Sequence, residues 1–67
     1  MIAHERQRRG LTRVELAVLV RRADRTLGTD DSQIKRWENG QEPQPAALRA
    51  LAAVLEQPVE LLTSIRE

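Results

Sequence analysis

Sixty-seven residues allow one domain, and a chain this short hides only about 60% of its unfolded surface, so it depends on close packing. The absence of cysteine and the single histidine, His4, exclude disulfides, thiolate metal sites and a histidine-built metal centre. A formal charge of +1 argues against a sequence-blind nucleic-acid binder, which would be strongly basic.

No apolar run approaches the roughly 20 residues that span a bilayer. No signal-peptide pattern opens the chain, and a cytoplasmic protein is expected. Glu15, Asp24 and Glu60 form no carboxylate pair that the sequence places together, and the lone histidine lacks a nucleophile–base–acid set. The three glycines are isolated, so no phosphate-cradling loop is present. Neither enzymatic activity nor a cofactor is expected. The cations are clustered: Arg6, Arg8, Arg9 and Arg13 form one basic block, and Arg21, Arg22 and Arg25 a second.

Apolar residues recur at helical spacing throughout, with no alternation of the strand type. The first helix is expected over residues 2–9, closed by Gly10, with Leu11 turning inward. Thr12 and Glu15 have the spacing of a capping box and start a second helix. Leu16, Leu19, Val20, Ala23 and Leu27 lie along one stripe of that helix. This favours extension to about Arg25, with Gly28 as terminator if it continues further. A third helix begins at Thr29 or Asp30 and closes at Gly40. Ile34 and Trp37 share its apolar face. Ser32, Gln33, Lys35, Arg36 and Asn39 fall largely on the other faces, and such a polar, partly basic surface suits a DNA major groove. Residues 41–44 form a loop around Pro43. Pro45 fits the first position of a fourth helix, buried through Leu48, Leu51, Ala52 and Leu55. Pro58 introduces a short fifth helix carrying Val59 and Leu62.

These signals together resemble the Cro/repressor-type (XRE-like) helix-turn-helix family. The residues that carry the resemblance are Arg6, Gly10-Leu11-Thr12, Leu16-Ala17, Leu27-Gly28, Ile34, Trp37-Glu38-Asn39-Gly40, Pro43, and Leu51-Ala52 with Leu55. The resemblance covers almost the whole chain and implies an all-α, compact five-helix repressor-like domain. It also implies a sequence-specific regulator of transcription that lays a recognition helix, residues 30–39, in the major groove of double-stranded DNA. It implies that Arg6 pairs with Glu38 and locks the first helix to the end of the recognition helix. Trp37, the only aromatic residue, is expected in the core rather than against a base.

The chain departs from the family pattern in three places. Val18 to Thr26 separate Leu-Ala from Leu-Gly where the family usually has two residues, an excess of seven. Seven residues are close to two helical turns, so the second helix either grows by roughly 10 Å without rotating its stripe or ends near Ala23 before a long turn. Asp30 and Asp31 add negative charge at the start of the recognition helix. Glu56 and Gln57 stand where the family often has a glycine and an apolar residue.

Candidate base-reading residues are Asp31, Ser32, Gln33, Lys35 and Arg36. Arg36 has the fork that grips guanine, and Asp31 either accepts from cytosine N4 or weakens DNA binding. Arg13, Asn39 and Gln41 are phosphate candidates. Arg21, Arg22 and Arg25 are expected to touch flanking phosphates, Arg21 and Arg25 one turn apart on an extended second helix. A homodimer reading two half-sites is expected, with the fifth helix and the Leu61-Leu62 edge as its surface. The alternative is a protein-interaction module, antitoxin-like or a regulatory subunit, with weak or no DNA binding.

Overall fold

Four helices carry the fold: α1 (Ile2–Arg8), α2 (Arg13–Ala23), α3 (Asp31–Glu38) and α4 (Pro45–Leu55). They belong to a computed structural model that describes residues 2–62, at Leu61 the backbone alone. No strand occurs among the described residues. The fifth helix expected after Pro58 is a single helical turn, Val59–Leu62, because four residues complete one turn and no more. Leu62 is buried at 5% exposure. It packs into the core rather than standing on an open dimer edge, which corrects that part of the expected surface. The side chain of Leu61 lies outside the described residues.

The core is built from the apolar stripes of α2, α3 and α4. Leu16, Val20, Ile34, Leu51 and Leu55 are fully enclosed, and Leu11, Leu27, Ala52, Val54 and Val59 pack around them. α2 crosses both α3 and α4, α1 leans on α3, and the last turn rests on α4. This arrangement leaves one long face of α3 uncovered.

Local capping chemistry sets most helix boundaries. The Thr12 hydroxyl accepts from the Glu15 N–H at 3.0 Å, and the Thr12 N–H donates to the Glu15 carboxylate at 2.8 Å. This reciprocal pair satisfies two of the donors that a helix start leaves open. Asp30 caps α3, accepting from the Gln33 N–H at 2.9 Å. Pro45 stands in the first turn of α4, where its missing N–H removes no helical bond.

The expected growth of α2 toward Arg25 does not occur; the excess lengthens the turn. α2 ends at Ala23, which is exposed, and Asp24 takes an extended backbone. The Asp24 carboxylate accepts from the N–H and the hydroxyl of Thr26 at 3.0 and 2.6 Å. Side-chain bonds of this kind compete with the helical ladder and stop it. Leu27 still packs on the core from the turn, so its place in the apolar stripe is equally compatible with either outcome. Arg21 then latches the turn by donating to the Thr29 carbonyl, and Thr29 itself is buried.

Three helices close in the same way. After α1, the Leu11 N–H donates to the Arg6 carbonyl and the Gly10 N–H to that of Gln7; after α3, Gln41 donates to Arg36 and Gly40 to Trp37; after α4, Gln57 donates to Ala52. Each closure places one residue at positive φ: Gly10 at 70°, Gly40 at 110°, and Glu56 at 54°. Glycine adopts this geometry freely, whereas a side chain costs roughly 1–2 kcal/mol. Glu56→Gly is therefore expected to raise stability by about 1 kcal/mol. The exposed Arg9–Glu56 contact at 3.9 Å that it removes is worth little. Urea unfolding checks this, and a lowered midpoint for the variant overturns it.

Candidate nucleic-acid interface

The position of α3 is fixed by one carboxylate. Glu38, at the last turn of α3, accepts from Arg6 Nε at 2.6 Å and from Arg13 Nε at 2.9 Å. The side chains of Glu38 and Arg6 are 4% and 11% exposed, that of Arg13 43%. Arg6 also donates to the Leu11 carbonyl at 2.8 Å. The Arg6–Glu38 pair expected from the resemblance is present, and Arg13 makes it a triad. Burial alone would push the Glu38 carboxyl up; the hydrogen bonds from Arg6 and Arg13 outweigh it and hold it below its ordinary 4.5. Both cations also sit at the negative end of the α3 dipole, which favours them.

Held in this way, α3 turns Ile34 and Trp37 inward, at 0% and 8% exposure. Trp37 is in the core, as expected. Asp31, Ser32, Lys35 and Arg36 are exposed along the opposite face, with Asn39 and Gln41 exposed beyond its end. Gln33 is half-buried, and its side-chain carbonyl accepts from Arg36 Nη1 at 3.3 Å, steering the guanidinium along the helix. The two aspartates differ in role. Asp30 is occupied as the cap, whereas Asp31 makes no salt bridge among the described residues. The base-reading candidates therefore lie on one surface. Arg13 stands apart from them, tied to Glu38 at the start of α2.

The N-terminal basic block cross-links the fold. Besides Arg6 and Arg13, Arg8 pairs with Glu5 at 2.9 Å, and Arg9 donates to the Leu55 carbonyl at the end of α4. The Nε of Arg9 is buried without a partner among the described residues. Glu5 is buried and also accepts from Gln57 at 3.3 Å. The Arg8 hydrogen bond holds its carboxyl below the ordinary 4.5, against the opposing effect of burial. The sequence reading missed Glu5, the second partner of Glu38 and the Arg9 and Arg21 contacts to carbonyls. Of these only Glu5–Arg8, three apart on one helix, has a spacing that signals it. The second block is also rearranged. Arg21 holds the turn, and Arg25 lies in the turn rather than one helical turn beyond Arg21. Arg22 and Arg25 are exposed and make no salt bridge among the described residues.

A family model described as a helix-turn-helix domain matches residues 2–64. The chain belongs to that family, in agreement with the repressor-type resemblance of its motifs. No significant match is found among curated proteins or among solved structures. No helix among the described residues is long and apolar enough to cross a membrane.

Two predictions follow from the triad. Glu38→Ala leaves the nearly buried Arg6 uncompensated and is expected to cost about 3 kcal/mol; a loss within ~0.5 kcal/mol, the range of surface changes, would reject the triad as a lock. The second concerns pH. A carboxyl held below its ordinary value stabilises the fold above that value, and the contribution is lost as pH falls through the lowered one. Glu38→Gln is therefore expected to unfold at lower urea than wild type at pH 7, with the gap narrowing at pH 3. A gap that stays constant between the two would contradict this assignment.

Proposed function

We propose that the protein is a non-enzymatic, sequence-specific regulator of transcription that binds double-stranded DNA with α3 in the major groove. The observation that carries this reading is the α3 surface. One uncovered face collects Asp31, Ser32, Lys35 and Arg36, while Ile34 and Trp37 anchor the helix from behind. Side chains of these types are the ones that match donor and acceptor patterns on base edges. Arg36 takes guanine in this reading, Ser32 and Lys35 contact neighbouring edges, and Gln33 orients Arg36. Asn39, Gln41 and the exposed part of Arg13 meet phosphates, which fix register without reading sequence. One copy covers few base pairs, so two copies reading half-sites about one helical turn apart supply useful specificity. The cytoplasm is the proposed compartment.

A second reading is favoured by the internal pairing of the N-terminal arginines and by Asp31, which makes no salt bridge among the described residues. In it the fold serves as a protein-interaction module, antitoxin-like or a regulatory subunit. Salt separates the two, because affinity for a duplex falls steeply with ionic strength and an apolar protein interface does not respond in that way.

Selection from random duplexes tests the assignments. Arg36→Ala is expected to relax preference at one base position and to cost about 1–3 kcal/mol. Arg13→Ala, measured well below its unfolding temperature, is expected to weaken all duplexes alike. The reverse pattern would displace α3 from the groove. For the lengthened turn, Arg22→Gln with Arg25→Gln is expected to lower the log–log salt slope by about 2 if each touches a phosphate; an unchanged slope removes the turn from the interface.

A further inference from the structure

The lengthened turn does more than join two helices: it builds a cleft. Residues 27–29 form one wall and the loop after α3 the other, bounding about 330 Å³ that remains open to solvent. That volume is at the lower end of small-molecule sites, which run from about 300 to 1,000 Å³. Thr29, Gln33, Trp37, Gln41, Glu42 and Gln44 line it. The side chains of Gln41, Glu42 and Gln44 make no hydrogen bond or salt bridge among the described residues, so their acceptors are available. Trp37 and Ala47 contribute apolar surface.

The charge of the lining selects the ligand. Among the described residues, no lysine or arginine lines the cleft, and Glu42 is the only charged residue there. An anion would meet a carboxylate with no compensating cation. A purely apolar ligand would use only the apolar part of the lining and would leave the exposed amides and the carboxylate to water, gaining nothing from them. A small cation carrying several N–H donors would satisfy Glu42 and the amide carbonyls together, through the charge-assisted bonds that a planar guanidinium makes best. We propose that this cleft is a binding site for a small organic cation of the guanidinium or amine class, with Glu42 as its counter-ion. The site does not depend on α3 entering a groove, and it is tested without DNA.

Trp37 lines the cleft and is the sole aromatic residue, so its fluorescence reports occupancy directly. The probes are arginine amide and citrulline amide, both Nα-acetylated so that neither carries an α-ammonium group and they differ only in replacing a guanidinium by a neutral urea of similar shape. Both are titrated into the protein at constant ionic strength, with the unfolding temperature measured in parallel. Arginine amide is expected to give a saturable change and to raise the unfolding temperature. Citrulline amide, and arginine amide with the Glu42→Gln variant, are expected to bind at least about tenfold more weakly, the loss expected for one charge-assisted hydrogen bond. Glu42 is exposed on a loop, and thermal unfolding of the variant verifies that the fold is intact. A response linear in probe, or equal affinity for the neutral probe or for the variant, overturns the proposal.

Discussion

The Glu38 carboxylate is the point on which the geometry of this small domain turns. It joins the end of α3 to α1 through Arg6 and to the start of α2 through Arg13. Arg6 reaches further and takes the Leu11 carbonyl, which fixes the connection from α1 to the Thr12 cap. The first residue of α2, the end of α3 and the intervening loop are thereby set by one group. Two guanidiniums around one carboxylate leave a surplus positive charge. Arg13 is the more exposed of the two, so the surplus faces solvent at the edge of the helix-turn-helix rather than the core. A buried pair of this kind contributes little net stability compared with apolar packing, but an incomplete one is strongly unfavourable. Its role is to select one relative placement of α1, α2 and α3.

The remaining order comes from how the helices end. A domain without disulfides, with one tryptophan as its only aromatic residue, has a modest core, and frayed helix ends would expose much of it. Reciprocal caps at the start of α2, an aspartate cap on α3 and the closures after α1, α3 and α4 limit that loss. The Asp24–Thr26 bonds and the Arg21 latch extend the same economy to the long turn. The turn is irregular, yet the Asp24 and Thr29 carbonyls and the Asp24 and Thr26 side chains are paired, and Leu27 is seated on the core. An insertion held this way adds walls to the surface without loosening the angle between α2 and α3.

How much of this was legible depended on the range of each interaction. The starts of α2, α3 and α4 are written within three or four residues, in Thr12 with Glu15, in Asp30, and in Pro45. Gly10 and Gly40 mark their turns because few other residues take that backbone. Ile34, Trp37 and the stripe of α4 followed from helical period alone. The end of α2 did not, since Leu27 serves the core whether it arrives on a helix or on a turn. The partners of the arginines were hidden for a different reason. Arg9 and Arg21 bond to backbone carbonyls, which every residue carries, so no residue type marks the acceptor. Arg13 meets Glu38 across 25 positions, and only the crossing of α2 and α3 brings them together. The cleft beside Trp37 was invisible for the same reason, as its walls come from two separate loops.

The internal use of the N-terminal arginines bears on what kind of binding this fold supports. A basic block read as free charge would suggest strong attraction to any polyanion. With Arg6, Arg8 and Arg13 paired to carboxylates and Arg9 to a carbonyl, the cations outside salt bridges among the described residues are Arg21, Arg22, Arg25, Lys35, Arg36 and Arg49, and Arg21 is engaged by Thr29. The α3 face mixes Lys35 and Arg36 with Asp31. Counterion release, which scales with the number of phosphates neutralised, gains little from such a face. An aspartate on it is repelled by phosphates and contributes favourably only where a base offers it a donor. Weak general attraction combined with a conditional acid places the burden of binding on the match to base edges. Under the proposed function, a surface of that composition would discriminate among sequences at the expense of affinity for DNA at large.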